Sequence, residues 1–327
     1  YAMCYVNLAQ MHEQQNKLEL ARKELYDCFN FYIHIRDQIK NPNEEAVFAG
    51  VILDLMSIAI KQNKIKEMEN WCEQFRILFS DLEKFCKIDK TRFVKTLQSA
   101  SLYLGQQLCK NQNFDRGIQY YEMCFELQNQ YKIAINESLE MDVRGAMASV
   151  YDKLGDYAKL NGDIHEAKEY YEKGIFQCKI YLDWREQENI RMLMGLQYQK
   201  IGELASLDNC HRESIAAFRK SVESFEPLLE NRLETIVKTS RQMLFGLYGL
   251  IGKAECQNGN FLESEIAYKN SLDLLDIVVK ENTSMNKSQL LATLYGGLME
   301  AALKAHKFKK YFGYAKELAI RSSEIKK

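Results

Sequence analysis

Bulky and small apolar residues follow one another in a short block that recurs at intervals of 47 to 50 residues along this 327-residue chain. In each block an aliphatic residue stands three positions after the first residue, and a small or flexible residue follows it. Positions three and four apart lie on one face of a helix, so the block predicts an amphipathic helix. The seven copies begin at Tyr5, Ile52, Ser101, Tyr151, Tyr198, Tyr248 and Tyr295.

A second block follows each first block after a short polar stretch such as Asn161-Gly162-Asp163 or Asn258-Gly259-Asn260. Its key positions are Ala21, Met68, Gly117, Ala167, Ser214, Ser264 and Tyr311, each followed four residues later by Leu25, Cys72, Tyr121, Tyr171, Phe218, Tyr268 and Ala315. Asn and Gly tolerate the left-handed backbone that ends a helix, and Asp or Asn caps the next one. The pattern predicts helical hairpins in which a small residue lets the second helix approach and an aromatic ring fills the gap.

The two blocks together resemble the tetratricopeptide repeat, and the best copy consists of Tyr151, Leu154, Gly155, Ala158, Ala167, Tyr171 and Gly174. The resemblance implies an all-α fold, a right-handed α-solenoid of about seven helical hairpins. The family repeats every 34 residues or so, whereas the spacing here is longer. We therefore expect each helix to be longer by roughly one to two turns. Such long-helix variants resemble those of kinesin light chains, bacterial quorum-peptide receptors and large eukaryotic assembly subunits, and the sequence does not choose among them.

The repeat spacing predicts one superhelical domain over residues 1–327. Its repeats span roughly 1–42, 43–90, 91–137, 138–184, 185–232, 233–284 and 285–327. Helix breaks are expected near Asn41, Lys90, Asn136, Asp183, Asn231 and Asn282–Asn286. The chain begins in mid-pattern at Tyr1, which predicts a segment of a longer protein.

Composition narrows the functional classes. The 44 basic and 45 acidic residues leave a net charge of −1, which argues against general attraction to nucleic acid or membrane. Nine scattered cysteines without a paired motif favour a reducing compartment, cytoplasmic or nuclear. The five histidines form no metal-ligand pattern, so we expect no metal. No phosphate-binding Gly-rich loop occurs and no pair of carboxylates can be singled out as an acid–base couple, so we expect no cofactor and no catalytic residues.

In the family, partners usually lie along the concave face, which the first helix of each hairpin lines. Carried over to this chain, these positions are Gln10, Glu13, Gln14, Ser57, Lys61, Gln106, Lys110, Asp152, Asp156, Lys159, Gln199, Glu203, Ser206, Lys253, Gln257, Glu300 and Lys304. Among them, the partner-binding candidates are Asp152, Asp156, Lys159, Gln199 and Glu203. Their acidic centre would repel a carboxylate tail and accept a basic or amphipathic segment. The alternative is that these are ordinary solvated helix residues.

Three arginines, Arg144, Arg191 and Arg241, each stand seven residues before the tyrosine that opens a repeat. They predict either a ladder of ion pairs between neighbouring helices or a site for an anionic partner group.

The resemblance favours a protein-interaction scaffold or adaptor, not an enzyme. Two alternatives stay open: a regulatory repeat region of a multidomain enzyme, and a repeat protein that binds single-stranded RNA.

Overall fold

The computed structural model describes residues 2–35, 42–85, 90–133 and 137–325. These residues form α-helices joined by short connections, and no strand occurs among them. The chain divides into two compact units, Tyr1–Ala146 and Met147–Lys327. The expected breaks at Asn41 and Asn136 lie outside the described residues, as does Cys86.

The described residues of the first unit form six complete helices and the beginning of a seventh, α7 (Glu137–Asn161). The six are α1 (Ala2–Gln14), α2 (Leu18–Ile35), α3 (Pro42–Lys61), α4 (Ile65–Phe85), α5 (Lys90–Lys110) and α6 (Phe114–Tyr131). Apolar side chains from α1 to α6 form one continuous core, which includes Leu25, Phe48, Met56, Trp71 and Leu104. The long apolar stretch of α3 is therefore explained by burial within this core.

In the second unit, the described residues form the rest of α7 and seven further α-helices. These are α8 (Ile164–Trp184), α9 (Glu188–Leu207), α10 (His211–Phe225), α11 (Glu234–Gln257), α12 (Phe261–Glu281), α13 (Lys287–Lys304) and α14 (Phe308–Ile325). A short 3-10 helix, Glu226–Glu230, carries Pro227 between α10 and α11. The helices α7 and α11 have 25 and 24 residues, whereas α10 has 15. The expected elongation of every helix therefore stays a prediction.

Consecutive helices pack as hairpins, and a close fit between a glycine and an aromatic ring fixes several of them. A Cβ atom on Gly155 would lie closer than 3.0 Å to ring carbons of Tyr171, and one on Gly202 would lie 2.6 Å from those of Phe218. A Cβ atom on Gly252 would likewise lie 2.9 Å from ring carbons of Tyr268. The predicted bulky-against-small packing is confirmed, and with it the all-α solenoid class. The handedness of the superhelix stays a prediction.

The turns inside the hairpins adopt the predicted left-handed conformation. Gly162 has φ +87° and Gly259 has φ +83°, and Asn16, Asn63 and Gln112 occupy the same region. The backbone closes each turn, because the N–H of the next residue donates to a carbonyl five positions earlier, as Asp163 does to Ala158 at 2.9 Å.

The predicted side-chain capping at these turns is wrong. Asn113, Asp163 and Asn260 stand at the helix N-caps, but none forms a side-chain cap hydrogen bond. Their ψ angles of 66° to 73° differ from the extended backbone in which a capping side chain reaches the first turn.

Six cysteines, Cys28, Cys72, Cys109, Cys124, Cys178 and Cys256, are buried in the helical interfaces. Burial raises the pKa of the Cys72, Cys124 and Cys178 thiols to about 12. These thiols serve as small apolar side chains, as their positions predicted. Across the described ranges, every helix is too short or too polar to cross a bilayer.

Candidate functional site

The five partner-binding candidates lie on two neighbouring first helices of the second unit. Asp152, Asp156 and Lys159 occupy successive turns of α7, and Gln199 and Glu203 occupy successive turns of α9. Spacings of three and four residues keep each group on one helix face. Hydrogen bonds between the two helices bring both groups together.

Lys200 of α9, which is not among the predicted positions, binds two of the candidate carboxylates. Its Nζ donates to Asp152 Oδ1 at 2.9 Å and to Asp156 Oδ2 at 2.9 Å. The hydroxyl of Tyr171 also donates to Asp156 Oδ1 at 2.8 Å. The acidic centre is therefore partly neutralised, and the sequence signal for this is weak because Lys200 lies beside the predicted position Gln199 on the helix.

Burial sets the balance of charge in this cluster. Burial raises the pKa of Asp152, whose side chain is 19% exposed, although Lys200 opposes that change. Burial also lowers the pKa of Lys200, but its hydrogen bonds to Asp152 and Asp156 outweigh that effect and raise it overall. Asp156 is 49% exposed and is the carboxylate of this pair that solvent reaches most easily.

The remaining candidates form a second polar group one turn further along the helices. Lys159 Nζ lies 3.2 Å from Glu203 Oε2, and Gln199 Nε2 donates to Glu203 Oε1 at 3.0 Å. All five candidates thus have a polar partner within the site, and Lys159 joins α7 to α9.

A cavity of about 360 Å³ opens beside this second group, between α7, α9 and α11. Five of its lining residues are predicted groove positions: Lys159, Glu203, Ser206, Lys253 and Gln257. Its apolar lining comes from Leu207, Phe218, Leu250 and Ala254. An apolar cavity edged by a few polar groups is the usual form of a binding pocket.

Two lining residues of the cavity are open to solvent. Leu207 is 65% exposed at the end of α9. Lys253 is also exposed, and within the described part of the chain it forms no ion pair. The face therefore changes from net negative around Asp152 and Asp156 to positive at Lys253.

Each of the three arginines has a carboxylate partner. Arg144 Nε donates to Glu140 at 2.8 Å within α7, and its guanidinium lies 4.6 Å from the Phe125 ring centroid. Arg191 pairs with Glu186, just before its own helix.

Arg241 pairs with a neighbouring helix, through Glu281 of α12. An anionic partner group would have to displace a carboxylate at each of these arginines. The geometry therefore favours ion pairing over the anion-site hypothesis.

Comparison with known families identifies one repeat directly: residues 148–175 match the sequence model of the tetratricopeptide repeat. This segment includes Tyr151, Gly155 and Tyr171, of which the last two form the close helix contact described above. The chain therefore contains a tetratricopeptide-type repeat. Its matched repeat lies in α7 and α8, the helices that carry the candidates Asp152, Asp156 and Lys159 and their partner Tyr171.

Solved structures of other proteins are similar to this chain only in general form. The tetratricopeptide repeat sensor protein of the STAND class from Pyrococcus horikoshii has 11% identity and a TM-score of 0.41, covering 99% of this chain and 42% of its own. The TPR2AB-domain:pHSP90 complex of yeast Sti1 has 11% identity and a TM-score of 0.32, covering 90% of this chain and 98% of its own.

BtubC from P. vanneervenii has 12% identity and a TM-score of 0.35, covering 79% of this chain and 90% of its own. All three TM-scores are below 0.5, so the identification of the repeat rests on the sequence match and on the helical hairpins. No curated protein sequence matches the chain.

Proposed function

We propose that the second unit binds an amphipathic segment of a partner protein along the face formed by α7, α9 and α11. The observation that carries this proposal is the cavity of about 360 Å³, which is edged by Lys159, Glu203 and Lys253. A partner side chain of aliphatic or aromatic character fits its apolar lining. The tetratricopeptide-type fold supports a binding role, because stacked helical hairpins offer an extended surface to a partner.

The charges on this face give the bound segment a direction. A basic side chain of the partner binds Asp156, which is half exposed and already held in place by Lys200 and Tyr171. An acidic side chain of the partner binds Lys253 at the other end. Ion pairs of this kind contribute to specificity and association rate more than to affinity, so the apolar contact in the cavity supplies most of the binding energy.

Asp152 has a supporting role in this arrangement. It is more buried than Asp156 and holds Lys200 in position. Its replacement would disturb the neighbouring helices as well as the partner. The test of the proposed function therefore leaves Asp152 unchanged.

Affinity capture followed by quantitative mass spectrometry tests the proposal. The baits are the wild-type chain, the groove variants Leu207→Ala and Asp156→Ala/Glu203→Ala, and a control, Glu223→Ala/Asp273→Ala. The control removes the same number of carboxylates from exposed positions on α10 and α12. Circular dichroism establishes that all four chains are folded.

We expect one set of proteins to be retained by wild type and control and depleted about tenfold or more by both groove variants. Equal recovery of the same proteins on all four baits would place the binding surface elsewhere.

A further inference from the structure

A second cleft lies between α8 and α10, on the side of the second unit where the second helices of the hairpins lie. It has a volume of about 370 Å³, and its floor is formed by Ile175, Tyr198 and Ile201. Phe176 stands at its edge with 59% of its surface exposed. The cleft shares no lining residue with the groove cavity, since α9 presents Tyr198 and Ile201 to one and Glu203 and Ser206 to the other.

Two lysines flank the tyrosine at one end of this α8–α10 cleft. Lys179 Nζ lies 5.9 Å and Lys220 Nζ lies 5.6 Å from the centroid of the Tyr198 ring. Both side chains are exposed, and across the described residues neither lies within ion-pair distance of a carboxylate. The ring attracts both ammonium groups, which holds two like charges close to one apolar surface.

The other end of the cleft carries the opposite charge. Glu172 of α8 and Glu213 of α10 lie there, roughly 10 Å from the lysines by the rise of an α-helix. Glu213 already forms an ion pair with Lys168. Glu172 has no ion pair among the described residues. The cleft therefore carries two unpaired lysines at the end with Tyr198 and one unpaired carboxylate at the other end, and its net charge is positive.

The equivalent cleft one repeat later has different chemistry. It lies between α10 and α12, and Tyr248, Ile251 and Ala267 form its lining as Tyr198, Ile201 and Ala217 do in the first. Glu223 replaces the exposed Phe176, and Asn270 replaces Lys220.

Glu226 stands at the position of Lys179, where it accepts a hydrogen bond from the Tyr248 hydroxyl at 3.0 Å. The two lysines and the exposed phenylalanine are thus particular to the α8–α10 cleft and are not required by the repeat.

We propose that the α8–α10 cleft is a second docking surface, which binds an acidic amphipathic segment of a partner protein. An aliphatic or aromatic side chain of that segment packs against the cleft floor and against Phe176 at its edge, and an adjacent Asp or Glu binds Lys179 and Lys220. The carboxylate relieves the repulsion between the two ammonium groups. The bound apolar side chain covers part of the ion pair, and a covered ion pair is screened by solvent less than an exposed one. The apolar contact and the ion pair therefore reinforce each other.

A random peptide library displayed on phage tests this assignment. The library is selected on the wild-type chain and counter-selected on Lys179→Glu/Lys220→Glu, so that only peptides dependent on the two lysines survive. Survivors are synthesised with a fluorescent label, and their binding is measured by fluorescence polarisation against five chains. These are wild type, Lys179→Arg/Lys220→Arg, Phe176→Ala, the matched control Glu223→Ala/Asn270→Ala, and the groove variant Asp156→Ala/Glu203→Ala.

We expect the survivors to share acidic residues next to a large apolar residue. Their affinity should fall about tenfold or more with Phe176→Ala and stay within about twofold of wild type for the arginine variant, the matched control and the groove variant. Selection that leaves no survivors, or survivors without acidic residues, would overturn the proposal. Peptides whose binding is lost with the groove variant would also overturn it. None of these three outcomes would affect the proposed function of the groove.

Discussion

The ring of Tyr171 lies directly over the Cα atom of Gly155, in the space that any other residue would fill with its Cβ atom. This contact joins α7 to α8, and its equivalents join α9 to α10 through Gly202 and Phe218 and α11 to α12 through Gly252 and Tyr268. The same contact brings the Tyr171 hydroxyl to Asp156. Packing of the hairpin and the position of a candidate binding carboxylate thus depend on one pair of residues.

Gly155→Ala should destabilise the chain by about 1–3 kcal/mol, because the added methyl group forces the Tyr171 ring and its helix outward. Chemical denaturation followed by circular dichroism measures the free energy of unfolding. The matched control is Gly246→Ala, since Gly246 is an exposed helical glycine with no atom within 4 Å of an added Cβ. Alanine favours a helix over glycine, so we expect the control to gain up to about 1 kcal/mol. Equal effects of the two substitutions would contradict the close-packing account.

Lys200→Ala should destabilise the second unit by about 1–3 kcal/mol, because it leaves the largely buried Asp152 without its cation. The pKa of Asp152, already raised by burial, should rise further when the lysine is removed. A double-mutant cycle with Asp152→Ala measures the coupling between the two side chains.

Lys304→Ala provides the comparison for Lys200→Ala. Lys304 pairs with Glu300 at 2.8 Å, but both side chains are about half exposed, so we expect a change within about 0.5 kcal/mol. A coupling energy near zero for Asp152 and Lys200 would show that this ion pair does not contribute to stability.

Glu265 should make the stability of the chain sensitive to acid. Burial opposes ionisation of this carboxyl, but hydrogen bonds from Lys269, Lys310 and Tyr314 outweigh it and lower its pKa from 4.5 to about 2. Its contribution is fully present above pH 4.5 and is lost as the pH falls towards 2, because protonation removes the ion pairs. Unfolding experiments at a series of pH values should show a steeper loss between pH 4.5 and 2 for wild type than for Glu265→Gln.

Glu234→Gln is the control for this titration. Glu234 pairs with Lys238, but its side chain is 79% exposed and solvent screens the interaction. We expect its acid profile to follow that of wild type. Superimposable profiles for Glu265→Gln and wild type would remove Glu265 as the source of the acid sensitivity.

The sequence by itself determined the hairpins, because their signals are local. Residues three and four apart lie on the same face of a helix, so the spacing of Tyr151, Leu154 and Gly155 is enough to predict the helix and its close contact. The left-handed turns at Gly162 and Gly259 follow from the backbone freedom of glycine. The groove positions of α7 and α9 were predictable for the same reason, since their spacing places them on one helix face.

Only the tertiary structure decided which charges meet and which surfaces stay open. Lys200 lies 48 residues from Asp152 and 44 from Asp156, whereas Lys159 lies 44 from Glu203. Which of these pairs form depends on the register between neighbouring hairpins, and repeat intervals of 47 to 50 residues do not fix that register. The sequence pattern did not predict the α8–α10 cleft, because Phe176, Lys179 and Lys220 lie outside the repeat pattern. A local pattern specifies how each helix packs, but the surfaces between hairpins arise only when residues distant in sequence are placed side by side.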